Sequence, residues 1–397
     1  MNKALAIRMQ AIVYLMYVVQ GFALIILAQT MSALTTIWHT DLAGATAVVS
    51  AIGLGKLIAY PFLGELADRW QRKTLLLLAI LAYGLFFICV PISTHIWQGL
   101  ILTNFAGIAN AMLDAVAYPM LLLLHHGRSS GNVLIKAMIS LGEGILPIII
   151  INLNHYQLWF GWVFWVAAVI LAVALVVLLD TNMPDATVVV TERVTRAPRW
   201  QWDIVQVTFL TYGFTAMWLM IHFTQWVTRY FQLVRGFSAS NAHLLMTCYS
   251  VGSLLGVGIV FVLTGRRLIP EKWLLVMLNC VALMSLLFLL IVKTNAVVLV
   301  GLATGLFGMS AAGGALQLGV AQLIAHNPGF NGRATGWYFF AGSFAVLLMP
   351  IITGQFATQH LAQVMQSLLV VSVINVILVG THAMRVVDRN RTEIGEK

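Results

Sequence analysis

The decapeptide Gly64–Lys73 reads Gly-Glu-Leu-Ala-Asp-Arg-Trp-Gln-Arg-Lys and forms a dense charged stretch between two long apolar runs. The run before it, about Thr46–Phe62, and the run after it, about Thr74–Val90, are each long enough to cross a lipid bilayer as a helix. The decapeptide is therefore predicted to be a short loop at a membrane face, where the chain turns back into the bilayer.

The composition of the whole chain agrees with this interpretation. Of its 397 residues, 60% are hydrophobic and only 9% are charged, whereas soluble domains carry about a quarter charged residues. The net charge of +9 is attributed to cytoplasmic loops of a membrane protein and not to nucleic-acid binding. The three cysteines lie inside apolar runs without metal-ligand spacing, so neither a metal nor another cofactor is expected. The first apolar run lacks a small-residue cleavage site, which predicts a retained helix and not a signal peptide.

Twelve segments are long and apolar enough to span a membrane. Their apolar residues are continuous and do not alternate, which favours helices over a β-barrel. The predicted fold is therefore an all-α integral membrane protein whose twelve spans lie, with bounds uncertain by about 2–4 residues, at about 9–33, 44–66, 74–92, 96–124, 131–152, 158–179, 204–230, 239–264, 272–292, 295–324, 332–356 and 360–382.

The Lys and Arg residues give the predicted orientation. Most of the 22 cationic residues fall in loops on the side of the N-terminus, and the opposite loops hold only Arg229, Arg235 and Lys293. The positive-inside rule then places both termini in the cytoplasm. Four regions are predicted: an N-terminal six-helix half at 1–180, a cytoplasmic linker at 181–203, a C-terminal six-helix half at 204–384 and a cytoplasmic tail at 385–397.

Four ionisable residues lie inside predicted spans, namely Lys56, Asp114, Lys136 and Glu143. Each such residue costs at least about 2.5–3.5 kcal/mol at the centre of a bilayer, so each is a candidate functional group. A carboxylate at low dielectric can bind and release a proton near neutral pH, and a buried lysine can hold an anionic solute. Two alternatives stay open: Lys56 with Asp114 and Lys136 with Glu143 are neutralising pairs, or the four groups are separate sites.

The pattern Gly-x-Leu-Ala-Asp-Arg-x-x-Arg-Lys resembles the loop between helices two and three of the major facilitator superfamily of transporters. A weaker copy, Thr264–Leu268, lies between the eighth and ninth segments. The resemblance implies two parallel six-helix halves and alternating access. It also implies that Gly64, Asp68, Arg69 and Arg72 form a gating loop, in which Asp68 interacts with the start of the eleventh helix.

The resemblance also implies a central cavity, lined by helices one, four, seven and ten among others. The candidate lining residues are Tyr17, Gln20, Asn110, Tyr212, Gln225, Gln317 and Tyr338. The segments Gly107–Pro119, Asn132–Lys136 and Ala312–Gln317 are similar to bacterial inner-membrane members that have been linked to organic acids such as quinate and shikimate. The chain departs from the family pattern at Gln71, where glycine is usual, and lacks the family's arginine motif in helix four.

We therefore expect a monomeric secondary active transporter in a bacterial plasma membrane that moves a small polar, anionic organic solute, coupled to protons. The alternative is an exporter of drugs or other hydrophobic compounds, working as a proton antiporter. The glycine–proline signature of drug antiporters in helix five and the acidic signature of aromatic-acid symporters in helix one are both missing, so the substrate class stays open. An enzyme is not expected, because the one histidine pair, His125–His126, has no carboxylate in the four residues that follow it.

Overall fold

The computed structural model describes residues 3–69, 71–124, 130–181, 202–266, 268–327 and 331–395. These residues form thirteen α-helices. A short 3₁₀ turn, Val90–Ile92, follows α4, and a π-helical segment, Gly308–Ala315, joins α11 to α12. The helices are α1 Lys3–Gln29, α2 Met31–Ile37, α3 Leu42–Arg69, α4 Arg72–Cys89, α5 Ile96–Leu124, α6 Ser130–His155, α7 Trp162–Leu179, α8 Ile204–Leu233, α9 Ala239–Gly265, α10 Glu271–Ile291, α11 Val297–Phe307, α12 Leu316–His326 and α13 Asn331–Gly395.

The bundle exposes large apolar side chains around its outside, as a lipid-facing surface requires. Trp97 is 72% exposed and Val298 is 73% exposed, which a soluble surface would not tolerate over so many positions. Within the described residues, 11 helical stretches are long and apolar enough to cross a membrane. The last of them, Gly336–Met384, has 49 residues and is about twice the length that one crossing needs.

This longest stretch contains two spans, because α13 reverses direction at His360. The backbone of His360 leaves the helical region, with φ −130° and ψ 38°. The contacts between α13 and α8 show the reversal. As α13 is followed along the chain, the residues of α8 that it contacts lie first closer to the end of α8 and then again near its start. In chain order, these contacts are Gly213 beside Tyr338, Trp226 bonded to Thr353, and Phe209 beside His382. The structure thus contains the twelve predicted spans, in the all-helical fold that the sequence predicts.

The charged decapeptide differs from its prediction as a loop. Helix α3 continues to Arg69 and α4 begins at Arg72, so eight of the ten residues of the decapeptide are helical. The physical reason is that Leu, Ala, Glu and Arg are good helix formers and that no proline interrupts them. The side chains of Asp68 and Arg69 and the surroundings of Gly64 lie outside the described part of the chain, as do residues 182–201 of the predicted linker. The predicted interaction of Asp68 with the start of the eleventh span, which is the first part of α13, therefore stays a prediction.

Helices α1–α7 form one half of the bundle and α8–α13 form the other. The halves meet where α3 packs on the first part of α13 and where α6 packs on α9. We call the end of the bundle that contains the last residues of α1 the distal end. There, Gln29 Nε2 donates to Thr228 Oγ1 (2.9 Å), and Gln29 Oε1 lies 2.6 Å from His243 Nδ1. This contact between halves, the distal seal, closes the distal end over the centre of the molecule.

Candidate functional site

A cavity of about 130 Å³ lies between the two halves, midway along the spanning helices. It is lined by both halves, and its polar lining comes mainly from α1, α3, α5 and α6. Apolar residues of the C-terminal half, such as Met217 and Phe339, form much of the opposite wall. Seven residues that the sequence singled out line this central cavity: Gln20, Lys56, Asn110, Asp114, Lys136, Glu143 and Gln317.

Asp114 is held by three hydrogen-bond donors from different helices. Tyr17 Oη donates to Asp114 Oδ1, and Tyr60 Oη donates to Asp114 Oδ2, both at 2.9 Å. The amide nitrogen of Asn110 donates to Asp114 Oδ2 at 3.0 Å. Hydrogen bonds to an ionised acceptor are stronger than neutral ones, so this arrangement suits a carboxylate and fixes its position in the cavity.

Asn110 also joins the carboxylate to the nearby lysine. With its nitrogen toward Asp114, the amide oxygen of Asn110 accepts from Gln20 Nε2 (2.7 Å) and from Lys56 Nζ (3.2 Å). This orientation satisfies both ends of the amide and is assigned from the surrounding donors and acceptors. Lys56 and Asp114 therefore interact through a shared amide, with opposite charges close together in a setting of low dielectric. They are neither isolated sites nor a directly bonded pair.

The second pair of charges lies on a single helix. Lys136 Nζ is 3.7 Å from Glu143 Oε2, and both side chains are almost completely buried on α6. Glu143 Oε2 has no hydrogen-bond partner within the described residues. One turn from each of them, Ser140 lies 2.9 Å from Ser253 of α9 through the two hydroxyl oxygens. The Lys136–Glu143 pair thus lies at the interface between the halves and keeps an unused acceptor.

Glycines beside these polar residues let their helices approach closely. A methyl group added at Gly21 would lie 2.2 Å from the Ile139 carbonyl oxygen, and one added at Gly142 would lie 2.2 Å from the Val18 carbonyl oxygen. The same relation holds between α3 and α5, where Gly55 and Gly107 lie against backbone atoms of the opposite helix. Small residues permit such backbone contacts in membranes. They bring Gln20, Lys56, Asn110 and Glu143, each close in sequence to one of these glycines, into one cavity.

Four residues predicted to line the central cavity are not among its lining residues, although one of them, Tyr17, donates to Asp114. Tyr212 is buried in the C-terminal half, where Asn279 Nδ2 donates to its hydroxyl at 3.0 Å. Tyr338 donates to the Leu316 carbonyl oxygen at 3.0 Å, beside the irregular π segment. Gln225 is buried, and its amide atoms have no hydrogen-bond partner among the described residues. Arg72 of the predicted gating loop begins α4 and is partly exposed.

Tyr60 is a functional candidate that the sequence reasoning missed. It lines the central cavity and donates to Asp114. Its position four residues after Lys56, on the same face of α3, was a signal that could have identified it. Tyrosine is common at membrane interfaces for unrelated reasons, which weakens that signal when the sequence is considered alone.

The central cavity combines features of a solute carrier: it lies at mid-depth, between two six-helix halves, with ionisable groups buried on its wall. Comparison with known proteins agrees with this geometry. The family model described as "Major Facilitator Superfamily" matches residues 13–350. The chain belongs to the major facilitator superfamily. It is thus a multi-pass membrane transporter, and not an enzyme.

Named relatives of this superfamily transporter are bacterial. The chain is 31% identical over 357 residues to the inner membrane transport protein YdiM of Escherichia coli strain K12, which covers 89% of this chain and 88% of the relative. It is 27% identical over 397 residues to the inner membrane transport protein YdiN of the same strain, covering 97% and 93%. It is 30% identical over 357 residues to the MFS-type transporter YfkL of Bacillus subtilis strain 168, covering 87% of each.

Solved structures show the same fold. A D-xylose–proton symporter superposes with a TM-score of 0.77 and 12% identity, covering 95% of this chain and 97% of that one. The nucleoside transporter NupG superposes with a TM-score of 0.72 and 14% identity, covering 95% and 99%. At these identities the likeness establishes the shared fold of the superfamily transporter and leaves its solute undetermined.

Proposed function

We propose that this transporter couples protons to the movement of a small polar organic anion across the bacterial plasma membrane, and that Asp114 carries the coupling proton. One observation carries the proposal. The Asp114 carboxylate lies in the central cavity, shares the Asn110 amide with Lys56, and accepts hydrogen bonds from Tyr17 and Tyr60.

The coupling follows from the charge balance at this site. When Asp114 is ionised, its negative charge offsets the ammonium of Lys56 through the intervening amide. When Asp114 binds a proton, the ammonium is left without that balance in a medium of low dielectric and attracts the anionic group of a solute. Proton binding and anion binding therefore favour each other, which is the reciprocal linkage that symport requires.

Lys136 and Glu143 extend the same arrangement toward the other half. Their ion pair lines the same cavity as Asp114 and lies beside the Ser140–Ser253 contact between halves. An anionic solute that attracts Lys136 weakens the attraction between Lys136 and Glu143. Binding of a solute in the cavity therefore alters contacts at the interface between the halves, which must open. The cavity of about 130 Å³ is smaller than typical ligand sites, which span about 300–1,000 Å³, so we expect the halves to move when an organic acid binds.

The first experiment identifies the solute and then tests the coupling. A thermal-shift screen of the purified protein against organic acids, sugars and nucleosides selects a solute for transport in proteoliposomes. Asp114→Asn is expected to abolish accumulation against a gradient while solute exchange across the membrane continues, because exchange needs the cavity and not the proton. If the variant still accumulates solute, the assignment of Asp114 as the coupling group is wrong.

Asp180→Asn is the matched control for this experiment. It removes a carboxylate that pairs with Arg8 at 2.7 Å on the exposed surface, and it should leave accumulation unchanged. The alternative function, export of hydrophobic compounds by proton antiport, predicts a different outcome. Overexpression would then give resistance to several unrelated drugs, and no single organic acid would stabilise the protein.

A further inference from the structure

A second cavity lies at the distal end of the bundle, on the outer side of the distal seal. It encloses about 310 Å³ and shares no lining residue with the central cavity. The ends of α1 and α6 and the start of α2 form one wall, and the end of α8 and the start of α9 form the other. This distal cavity is therefore built by both halves of the transporter.

The charge of the distal cavity is positive. Arg229 lines it, is half-buried, and its Nε is enclosed without a hydrogen-bond partner within the described residues. No carboxylate lines the cavity in the described part of the chain, and His243, its other ionisable residue, is engaged with Gln29. An arginine fork that lacks a partner is a strong site for a carboxylate, which it can bind with two parallel hydrogen bonds.

The neutral lining suits a small polar ligand. Side chains that can donate or accept hydrogen bonds surround the guanidinium, and they include Ser32, Asn154 and Gln232. A volume of about 310 Å³ lies at the small end of ligand sites, which span about 300–1,000 Å³. The cavity therefore fits a small organic acid better than a drug-sized molecule.

We propose that the distal cavity is a second binding site, for the carboxylate of a small organic acid, and that a bound acid holds the distal ends of the two halves together. The cavity has this shape while Gln29 bonds to Thr228 and His243 across the halves. A ligand stabilises the conformation that binds it more tightly. The bound acid thus opposes opening of the distal end, and this regulation goes beyond the transport function proposed above.

The binding test uses purified protein in lipid-free detergent with benzoate, acetate and malonate, and with benzamide as the neutral counterpart of benzoate. The carboxylates should stabilise the wild-type protein and benzamide should not. Arg229→Gln should weaken carboxylate binding about tenfold, the loss expected for one charge-assisted hydrogen bond. Asn154→Asp, an exposed position that adds a negative charge to the lining, should weaken it as well.

Two controls separate this site from other sources of binding. Lys293→Gln removes the same unit charge from an exposed residue that does not line the cavity, and Lys56→Gln alters the central cavity. Both variants should keep the distal binding. The proposal is overturned if none of the carboxylates binds, if Arg229→Gln and Asn154→Asp bind as the wild type does, or if added phosphatidylglycerol competes with the acids and so assigns the site to lipid headgroups.

The regulatory part is tested by distance measurements between spin labels. The labels are placed at Thr36 and Val234, two exposed positions on opposite halves, in a background without the three native cysteines. Benzoate or malonate should shift the distance distribution toward the shorter, closed population, and Arg229→Gln should remove that shift. A shift toward longer distances would contradict the proposal.

Discussion

The two halves of the bundle place different chemistry at the centre of the molecule. In the N-terminal half, Lys56, Asp114, Lys136 and Glu143 all line the central cavity. The described residues of the C-terminal half contribute only uncharged groups to the lining, among them Gln317 and Ser343. The pattern Ser-x6-Pro-Ile-Ile begins at Ser140 in one half and at Ser343 in the other, an offset of 203 residues. The same offset carries Asp114 onto Gln317, so the carboxylate of one half corresponds to an amide in the other.

The helices that carry these corresponding residues also differ in shape. Asp114 lies on the α-helix α5, which extends from Ile96 to Leu124. Gln317 follows the π segment, in which Gly314 leaves helical geometry with φ 168° and ψ −14°. Such π-helical segments occur often at functional sites. The comparison suggests that one half carries the charge chemistry, whereas the other supplies a surface that can change shape around it.

The largest expected effect comes from removing Lys56, one of the two cations of the N-terminal half that line the central cavity. Lys56→Met should destabilise the protein by about 3 kcal/mol, because it leaves a buried carboxylate without its compensating charge. The double variant Lys56→Met/Asp114→Asn should recover most of that loss, since the uncompensated charge is gone. The measurement is equilibrium unfolding in mixed detergent micelles at constant pH.

Gln317→Met is the matched change in the C-terminal half. It removes one neutral amide, so it should cost no more than about 1 kcal/mol. The contrast between the halves would be refuted if Gln317→Met destabilised the protein as much as Lys56→Met, or if the double variant were no more stable than Lys56→Met alone.

The next prediction concerns the close contact of α1 and α6 at Gly142, which brings Gln20 and Glu143 into one cavity. Gly142→Ala should destabilise the protein by about 2–3 kcal/mol through overpacking, because the new methyl group would lie 2.2 Å from the Val18 carbonyl oxygen. Transport should fall as α1 and α6 move apart. Thermal unfolding in detergent and uptake by proteoliposomes measure the two effects.

Gly84→Ala provides the control for that substitution. No atom lies within 4 Å of a methyl group added at Gly84, and alanine is favoured over glycine in a helix by about 0.5–1 kcal/mol. This variant should be at least as stable as the wild type. Equal melting temperatures for Gly142→Ala and Gly84→Ala would show that the close contact of α1 and α6 does not position the site.

The sequence predicted the spans and the depth of the buried charges, because both depend on local properties. Apolar runs of sufficient length mark the helices, and a rise of 1.5 Å per residue places Asp114 and Glu143 near mid-membrane. The spacing of Lys136, Ser140 and Glu143, at i, i+4 and i+7, is that of one helix face, and the structure puts Ser140 and the ion pair side by side at the interface. The assignment of functional roles to these residues stays a prediction.

The contacts between helices were less accessible to sequence reasoning. Periodicity gives the face of a helix that a residue occupies, but not the helix that this face meets. The amide link between Asp114 and Lys56 through Asn110 and the role of Tyr60 therefore emerged only from the structure. Tyr338 shows the opposite error: it was predicted to line the cavity, but its hydroxyl donates to a carbonyl oxygen beside the π segment. The π segment leaves no clear periodic pattern in the sequence, so this position could not be predicted.

A smaller loss of stability should distinguish Tyr60 of the N-terminal half from Tyr212 of the C-terminal half. Tyr60→Phe removes a donor to the Asp114 carboxylate and should cost about 2 kcal/mol, the range for hydrogen bonds to charged groups. Tyr212→Phe removes a hydroxyl whose partner is the neutral Asn279 and should cost about 1 kcal/mol. Uptake assays add a second readout, because only Tyr60→Phe should reduce coupled transport. A larger loss of uptake in Tyr212→Phe would contradict the division of roles between the halves.

The smallest expected effect concerns the start of the C-terminal half, where α8 is capped by Asp203. Partial burial alone would raise the pKa of Asp203, but hydrogen bonds from the Gln206 backbone amide and from His326, whose Nε2 lies 2.5 Å from Asp203 Oδ2, outweigh it and lower that pKa. The folded protein therefore binds this proton more weakly than the unfolded chain. The resulting stability is present above the ordinary aspartate pKa and is lost as pH falls through the lowered pKa of the folded state.

Asp203→Asn isolates this charge, because asparagine is an equally good N-cap. The wild type should melt slightly higher than Asp203→Asn at pH 7, and the difference should shrink as the pH falls below about 4, the ordinary range for aspartate. The effect should be small, since the side chain is 44% exposed and solvent screens its interactions. The first helix of the N-terminal half has no acidic residue in its first turn. A pH-independent difference between the two proteins would show that the ionised carboxylate of Asp203 is not its source, and charge would then distinguish the halves at the central cavity and not at their starts.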